Sequence, residues 1–191
     1  MARGINIAES VQKSINNYTF ASKEKPVVFL SHKSEDKDFV ESIGEYLMKS
    51  GIDIYLDKRD FKLQSAVASD NAEEITECIQ EGIAKSDYIL CFVSRNTVKS
   101  WWVPYEIGYG KKANKEIATL VRDDVTYVPS YLEIEETIKS IEEINGYIKR
   151  ITSKNSIPLQ EQSWYEKETL NEHIVKADKY HSLAKYLNIN G

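Results

Sequence analysis

Short apolar runs alternate along the chain with stretches in which apolar residues recur every three or four positions. The runs predict five strands, the last of them short: 26–30, 52–57, 88–93, 117–121 and 125–132. The run 88–93 is the most apolar, so we expect it at the centre of a sheet with both faces buried. The run 52–57 alternates apolar and polar residues, which favours a position nearer an edge, exposed on one side.

The stretches between these runs have the spacing of amphipathic helices. They predict helices over 5–18, 39–49, 71–85, 101–114, 133–152 and about 164–188. Ser34 or Asp36 is placed to cap the second helix, and Gly51 follows its end, where glycine is common. Strands that alternate with helices over short connections indicate a doubly wound α/β fold. We therefore expect a parallel sheet of about five strands with extra N- and C-terminal helices.

The length of 191 residues, 41% of them hydrophobic, suits one domain of ordinary size with a real core. We place that domain at 25–152, after an N-terminal helix and linker at 1–24. Residues 153–191 are expected to form a helical extension. Its apolar face, which includes Leu183 and Leu187, favours packing on the domain over exposure to water.

Composition excludes several function classes. The net charge of −5 lacks the basic footprint of a nucleic-acid-binding protein, and no apolar run approaches the ~20 residues that cross a bilayer. Polar residues interrupt the first twenty positions, so no signal peptide is expected and a cytoplasmic protein is. Cys78 and Cys91 lie in apolar surroundings and are interpreted as buried thiols. No histidine pair has metal-ligand spacing, and we expect no metal site.

A possible dinucleotide fingerprint fails on its context. Residues 108–113 match G-x-G-x-x-A, but they lie inside a predicted helix and not between a strand and a helix start. Small residues here more simply allow close packing of that helix. The loops to search are instead those at the carboxyl ends of the strands, where doubly wound folds bind ligands: 31–38, 57–71 and 94–102.

The most informative segment follows the predicted central strand and opens a helix. Trp102 and Glu106 are four residues apart and so share a helical face. Pro104 suits the first turn, and a carboxylate near a helix start is favourable. Trp101 is assigned to packing. From spacing alone, a core tryptophan beside a solvated glutamate remains an alternative to a stacking wall beside a functional carboxylate.

Short motifs follow one another between residue 26 and about residue 134. They are VFLSH (28–32), SEDKDFV (34–40), GIDIYLD (51–57), IAKSDY (83–88), VS (93–94), Ser100 and W-x-x-x-E (102–106). In order and spacing this part of the chain resembles a TIR (Toll/interleukin-1 receptor) domain of the bacterial soluble type. The resemblance implies a flavodoxin-like fold and cleavage of NAD at the nicotinamide–ribose bond. It also implies that Glu106 is catalytic.

The resemblance carries further expectations about the site and the partners. The loop 58–71 matches the family's BB loop, which mediates self-association, although this chain has no glycine from Asp53 to Glu81. NAD would be substrate, so no cofactor is expected. Substrate contacts are expected from side chains at strand ends and from the tryptophan: Ser31, His32, Asp57, Ser94 and Trp102. For the loop residues among them, loop capping is the structural alternative.

One carboxylate is chemically sufficient for this reaction. The nicotinamide of NAD is a cationic pyridinium that leaves as a neutral molecule, so no second carboxyl group need protonate it, unlike in an ordinary glycoside. A carboxylate beside the ribose stabilises the positive charge that develops there. A tryptophan wall would exclude water and strengthen that interaction.

The expected role is in antiphage defence of the Thoeris kind. Because little chain remains for a sensor domain, production of a cyclic ADP-ribose isomer for a separate effector is favoured. Two other functions stay open. One is a non-catalytic TIR scaffold that acts by homotypic binding, and the other is an N-glycosidase acting on a nucleoside or nucleotide.

Overall fold

Five parallel strands form one sheet in the order β2-β1-β3-β4-β5. They are β1 (Val27–Ser31), β2 (Asp53–Tyr55), β3 (Tyr88–Val93), β4 (Glu116–Val121) and β5 (Glu136–Ile138). This is the flavodoxin-like order of doubly wound sheets, and it confirms the predicted fold class. The computed structural model with this architecture describes residues 3–9, 25–56, 67–68, 71–154 and 180–190.

Helices connect the strands and cover both faces of the sheet. They are α1 (Lys37–Lys49), α2 (Ala72–Ala84), α3 (Trp102–Lys112), α4 (Ser130–Glu133) and α5 (Ile141–Lys154). Alternate strand residues point to opposite faces, so α1 and α5 pack on the face of Leu30 and Leu90, whereas α2 and α3 pack on the face of Phe29 and Ile89. None of the helices in the described ranges has both the length and the apolar character needed to span a bilayer.

The centre of the sheet matches its prediction, and the edge matches in part. β3 is the middle strand, and all six of its residues are buried. β2 lies at an edge as predicted, yet Asp53, Ile54 and Tyr55 are all buried. The expected exposure is wrong because the N-terminal segment 3–9 covers this edge, where Asn6 forms a parallel bridge with Ile54.

Hydrogen bonds hold the N-terminal segment on β2. The Ile54 amide donates to the Ile5 carbonyl at 2.9 Å, and the Ile5 amide donates to Asp53 Oδ1 at 2.9 Å. The Asn6 side chain accepts from the Leu56 amide at 3.1 Å. The backbone groups that an edge strand would otherwise turn to water are thus paired.

Two boundaries near the end of the domain differ from their predictions. The strand predicted within 125–132 is wrong, because the last strand is β5. Pro129 precedes α4 in that stretch, and Tyr127 is 63% exposed. The helix predicted over 133–152 begins only at Ile141. Its regular isoleucine spacing is misleading, since it runs through an exposed turn, a short strand and a helix.

Other helix termini agree with their signals or lie outside the described residues. Gly51, which follows the end of α1, has a φ of 81°, a conformation that suits glycine. Of the helix predicted over 5–18, the described part shows helical residues at 7–9. Residues 10–24 lie outside the described ranges.

The C-terminal residues 180–190 pack on the domain. Leu183 and Leu187 are 0% and 1% exposed within the core that α1 and α5 share. The Asp123 amide donates to the Tyr186 carbonyl at 2.9 Å. These residues form turns, and the helix predicted to about 188 does not extend over them. Backbone groups that a helix would bond internally are used to join the neighbouring loops.

Because this segment is packed in the core, shortening one of its buried side chains should lower the stability of the fold substantially. Leu183→Ala should lower the free energy of unfolding by about 2–5 kcal/mol, because it leaves a cavity in a fully buried site. Urea unfolding would measure the change. Ile134→Ala is the control, since Ile134 is 75% exposed and its loss should cost less than about 0.5 kcal/mol. Equal stabilities of the two variants would contradict the packing.

The buried edge carboxylate predicts a pH effect. Burial raises the pKa of Asp53, although the hydrogen bond from the Ile5 amide and the nearby Lys25 ammonium act in the opposite direction. A raised folded-state pKa means that ionised Asp53 destabilises the fold above that pKa, and that the penalty disappears below the unfolded-state pKa. Asp53→Asn, which keeps an acceptor oxygen, should therefore raise Tm at pH 7, and the gain should shrink on acidification.

Asp87→Asn is the matched control for this experiment. Asp87 also accepts a backbone hydrogen bond at a strand start, from the Val27 amide at 3.0 Å, but it is exposed. Its replacement should give no gain in Tm at pH 7. A melting temperature for Asp53→Asn below that of the wild type at pH 7 would show that the ionised carboxylate stabilises the edge.

Candidate active site

Glu106 lies on the buried face of α3, next to the carboxyl ends of the central strands. The helix starts where predicted, and the Ser100 hydroxyl accepts a hydrogen bond from the Val103 amide at 3.2 Å. The buried residues of α3 are Val103, Glu106, Ile107 and Gly110. Glu106 is only 3% exposed. The interpretation of Glu106 as a solvated helix residue is therefore wrong.

A glycine allows α3 to approach the sheet this closely. A Cβ atom on Gly110 would lie 2.1 Å from Cδ1 of Ile89 in β3, whereas Gly108 has open space at that position. Close helix packing is thus the role of one of the two glycines in the G-x-G-x-x-A match. A larger residue at 110 would require the Ile89 side chain to repack or the helix to move outward.

The Glu106 carboxylate meets the end of β1. The Ser31 hydroxyl donates to Glu106 Oε2 at 2.5 Å, and both groups are buried. The strand register sets Ser31 beside Cys91 of β3. Burial raises the pKa of the Cys91 thiol, and the Glu106 carboxylate raises it further. Cys91 is therefore a neutral thiol under the site, and it and Cys78 are both buried as predicted.

Two further polar side chains, one near Glu106 and one beside Cys91, carry no signal in the sequence. Burial, with the nearby Cys91 and Glu106, raises the pKa of Tyr131 to about 12, so Tyr131 is a neutral phenol. Thr119, the β4 neighbour of Cys91, is fully buried and its hydroxyl has no hydrogen-bond partner among the described residues. Tyr131 lies in the stretch that was interpreted as a strand, and no local signal marks either residue.

The two tryptophans differ in exposure. Trp102 is 38% exposed and meets Tyr105 edge-to-face, with ring centroids 6.0 Å apart. It is a partly exposed ring one helical turn before the buried Glu106. Trp101 is 90% exposed, and its assignment to packing is wrong. Trp101 occupies the N-cap position, before the helix turns its side chains toward the core.

A second buried carboxylate, that of Asp36 in the loop after β1, contacts the loop that follows β3. Asp36 is 4% exposed, and its two carboxylate oxygens accept from the Ser94 hydroxyl at 2.5 Å and from the Asn96 side-chain amide at 2.9 Å. These bonds join the loop after β1 to the loop that leads into α3. Asp36 occupies the N-cap position of α1, but its side chain makes no capping hydrogen bond. The Ser94 hydroxyl is thus hydrogen-bonded to Asp36.

The remaining predicted site residues have different surroundings. His32 follows Ser31 and is half-buried, and its Nδ1 donates to the Leu30 carbonyl at 2.9 Å. Asp57 lies outside the described residues, as does most of the loop 58–71. In the described part of the chain, no group of three or more His, Cys, Asp or Glu side chains could hold a metal ion.

A cavity of about 190 Å³ lies away from this site. Its walls come from the N-terminal segment, α1 and the β2 region, and they include Asn6, Met48 and Leu56. It is therefore on the opposite face of the sheet from Glu106, and we do not connect it with the chemistry of the carboxylate.

Residues 28–150 match the TIR domain model, and this range includes Asp36, Glu106 and every strand residue except Val27. The chain belongs to the TIR domain family. This chain is 26% identical over 152 residues to the NAD(+) hydrolase TirS of Staphylococcus aureus, and the aligned region covers 79% of this chain and 47% of the relative. It is 29% identical over 80 residues to the 2' cyclic ADP-D-ribose synthase BtTIR of Bacteroides thetaiotaomicron, covering 41% of this chain and 25% of the relative.

This TIR domain thus spans less than half the length of these curated relatives. Similar solved structures include the TIR domain of the Toll-related receptor TRR-2 from Hydra magnipapillata, with a TM-score of 0.47 and 16% identity over 67% of this chain and 92% of that one. Another is the Clostridium botulinum CMP N-glycosidase BcmB, with a TM-score of 0.41 and 17% identity over 65% of this chain and 96% of that one.

The Asp36 network predicts a stability effect in this TIR domain. Asp36→Ala should lower the free energy of unfolding by about 1.5–3 kcal/mol, because it leaves the buried Ser94 hydroxyl and the partly buried Asn96 amide without their charged acceptor. Hydrogen exchange at 94–100 should also accelerate. Asp38→Ala, an exposed change two residues along, should cost less than about 1 kcal/mol. A similar loss in both variants would mean that the network does not hold the loop.

Proposed function

We propose that this TIR domain cleaves NAD at the nicotinamide–ribose bond with Glu106 as its catalytic carboxylate. The observation that carries the proposal is the burial of Glu106, 3% exposed at the carboxyl edge of the sheet and bonded to Ser31. Burying a carboxylate is unfavourable unless it is well hydrogen-bonded. The names of the two relatives, one an NAD(+) hydrolase and the other a cyclic ADP-ribose synthase, support NAD as the substrate.

The reaction requires one negative charge beside the ribose, in a site with little exposure to water. As the bond from C1′ of the ribose to the nicotinamide nitrogen breaks, the electron pair leaves with neutral nicotinamide and positive charge develops on the ribose. A carboxylate beside C1′ stabilises that charge, and low exposure strengthens the interaction. Trp102 supplies an apolar ring one turn away to cover the substrate. His32, Asp57 and Ser94 are proposed to complete the binding region, whereas Ser31 contributes through its hydrogen bond to Glu106.

The product follows from what reaches C1′ next. Water gives linear ADP-ribose, whereas a nucleophile of the same molecule gives a cyclic isomer, and one proton is released in either case. A site that keeps water from the ribose favours the internal nucleophile. We favour the cyclic product for this reason, and because a curated relative is named a synthase of such a product.

The wider role is proposed on the same basis. A cyclic nucleotide made in the cytoplasm would serve as a signal to a separate effector, in antiphage defence. Self-association through the loop 58–71 would accompany activity. Size measurement by light scattering, with and without NAD, tests the association.

Replacement of the carboxylate tests the reaction. Glu106→Gln keeps the size of the side chain and an acceptor for Ser31 but removes the charge, so NAD cleavage should fall by ~10²-fold or more. Glu133→Gln, which changes an exposed glutamate on α4, should keep the wild-type rate. Chromatography with mass spectrometry would measure nicotinamide and separate linear from cyclic products. Circular dichroism would check the fold.

The outcomes separate the competing functions. Wild-type turnover in Glu106→Gln would contradict the site. Release of a base from nucleosides or nucleotides, but not from NAD, would indicate an N-glycosidase of different specificity. Association in the scattering experiment with no cleavage of any glycoside would favour the scaffold.

A further inference from the structure

We propose that Ser31 is a positioning residue for the reaction, which sets the ionisation and the orientation of the Glu106 carboxylate. The inference rests on the proposed function of Glu106. Its basis is the buried hydrogen bond from the Ser31 hydroxyl to Glu106 Oε2 at 2.5 Å, which links positions 75 residues apart.

Exposure indicates that Ser31 acts through Glu106 and not by touching substrate. Ser31 is 0% exposed and Glu106 is 3% exposed. Glu106 approaches from the helix that packs over this face of the sheet, while Ser31 belongs to the sheet itself. Of the two residues only Glu106 retains any solvent exposure, so we infer that substrate contacts Glu106 and not the Ser31 hydroxyl.

The strand gives the hydroxyl a fixed position. Ser31 is the last residue of β1, and it is in register with Cys91 of the central strand. A side chain on a paired strand is held more firmly than one on a loop. A short hydrogen bond from this point fixes one carboxylate oxygen, and with it the plane of the carboxyl group. Misplacement of a catalytic group by about 1 Å can cost ~10²-fold in rate.

A neutral donor suits this carboxylate better than a cation would. A hydrogen bond to the charged form favours ionisation, and bonds to charged groups are the stronger kind. A lysine or arginine in place of Ser31 would also favour ionisation, but its positive charge would repel the cationic ribose. The hydroxyl favours the charged form of Glu106 without placing a positive charge beside the ribose.

The hydroxyl of Ser31 can be removed and restored by substitution. Ser31→Ala should lower kcat for NAD cleavage at least ~10-fold, with KM within ~3-fold of wild type, because the loss is in the transition state. Ser31→Thr restores a hydroxyl and should recover most of kcat. Since the hydrogen bond favours the ionised form, the acid limb of the kcat profile of Ser31→Ala should move to higher pH.

Ser86→Ala is the matched control for a lost buried hydroxyl. Ser86 is 1% exposed and donates to the Gly82 carbonyl at 2.9 Å, in the turn that leads to the amino end of β3. Its replacement should cost stability of a similar order without moving the acid limb of the pH profile. If Ser86→Ala and Ser31→Ala had the same kcat and the same profile, the positioning role would be overturned.

A second measurement does not depend on catalysis. The carboxyl carbon of Glu106 can be followed by ¹³C NMR in protein labelled at glutamate, with the signal assigned from its disappearance in Glu106→Gln. The titration of this signal should move to higher pH in Ser31→Ala and should stay in place in Ser86→Ala. An unchanged titration in Ser31→Ala would overturn the proposal.

The two measurements separate the two hypotheses. If the wild type leaves NAD intact but the titration moves in Ser31→Ala, the reaction proposed for the site fails while the control of Glu106 by Ser31 stands. If the wild type cleaves NAD and Ser31→Ala matches Ser86→Ala, the reaction stands and the positioning role fails.

Discussion

The approach of α3 to the sheet is the constraint on which the site depends. Gly110 removes the side chain that would collide with Ile89, so the helix lies close enough for Glu106 to reach the end of β1. At that distance the carboxylate is buried, and burial strengthens both its hydrogen bond and the electrostatic effect of its charge. Moving the helix outward would let water in and weaken both. Close packing at one turn of α3 thus accompanies the burial of the carboxylate one turn earlier.

Much of the architecture could be predicted because its causes are local. The apolar run of β3 and the spacing along α1, α2 and α3 report burial directly, and a parallel α/β sheet follows from their order. The failures come near the end of the domain, where isoleucines at helical spacing continue through β5 into α5. Short strands in such a stretch carry too little pattern to be separated from a helix.

Strand order places Ser31 and Ser94 at the same end of the sheet as Glu106, but the pairing of side chains could be predicted only where both residues lie on one element. Trp102 and Glu106 are connected by helical geometry, which a sequence displays. The pairs Ser31–Glu106 and Ser94–Asp36 join residues 75 and 58 positions apart, and nothing local announces them. At Asp36 the sequence favours a helix cap, because helical spacing begins just after it. The position of Tyr131 near Glu106 is missed because its stretch resembles a strand. The exposure of Trp101 is missed because a large apolar ring is more often buried than exposed.

The cover on β2 has a consequence for how this domain can meet other proteins. An open parallel edge invites another strand to add to it, and that route leads to fibrils as readily as to specific complexes. Here Asn6 already occupies the place beside Ile54, so the chain provides its own terminating partner. On this side of the sheet, contacts with other molecules would form through helices and loops, whose shape and charge select partners more strictly than a backbone ladder does.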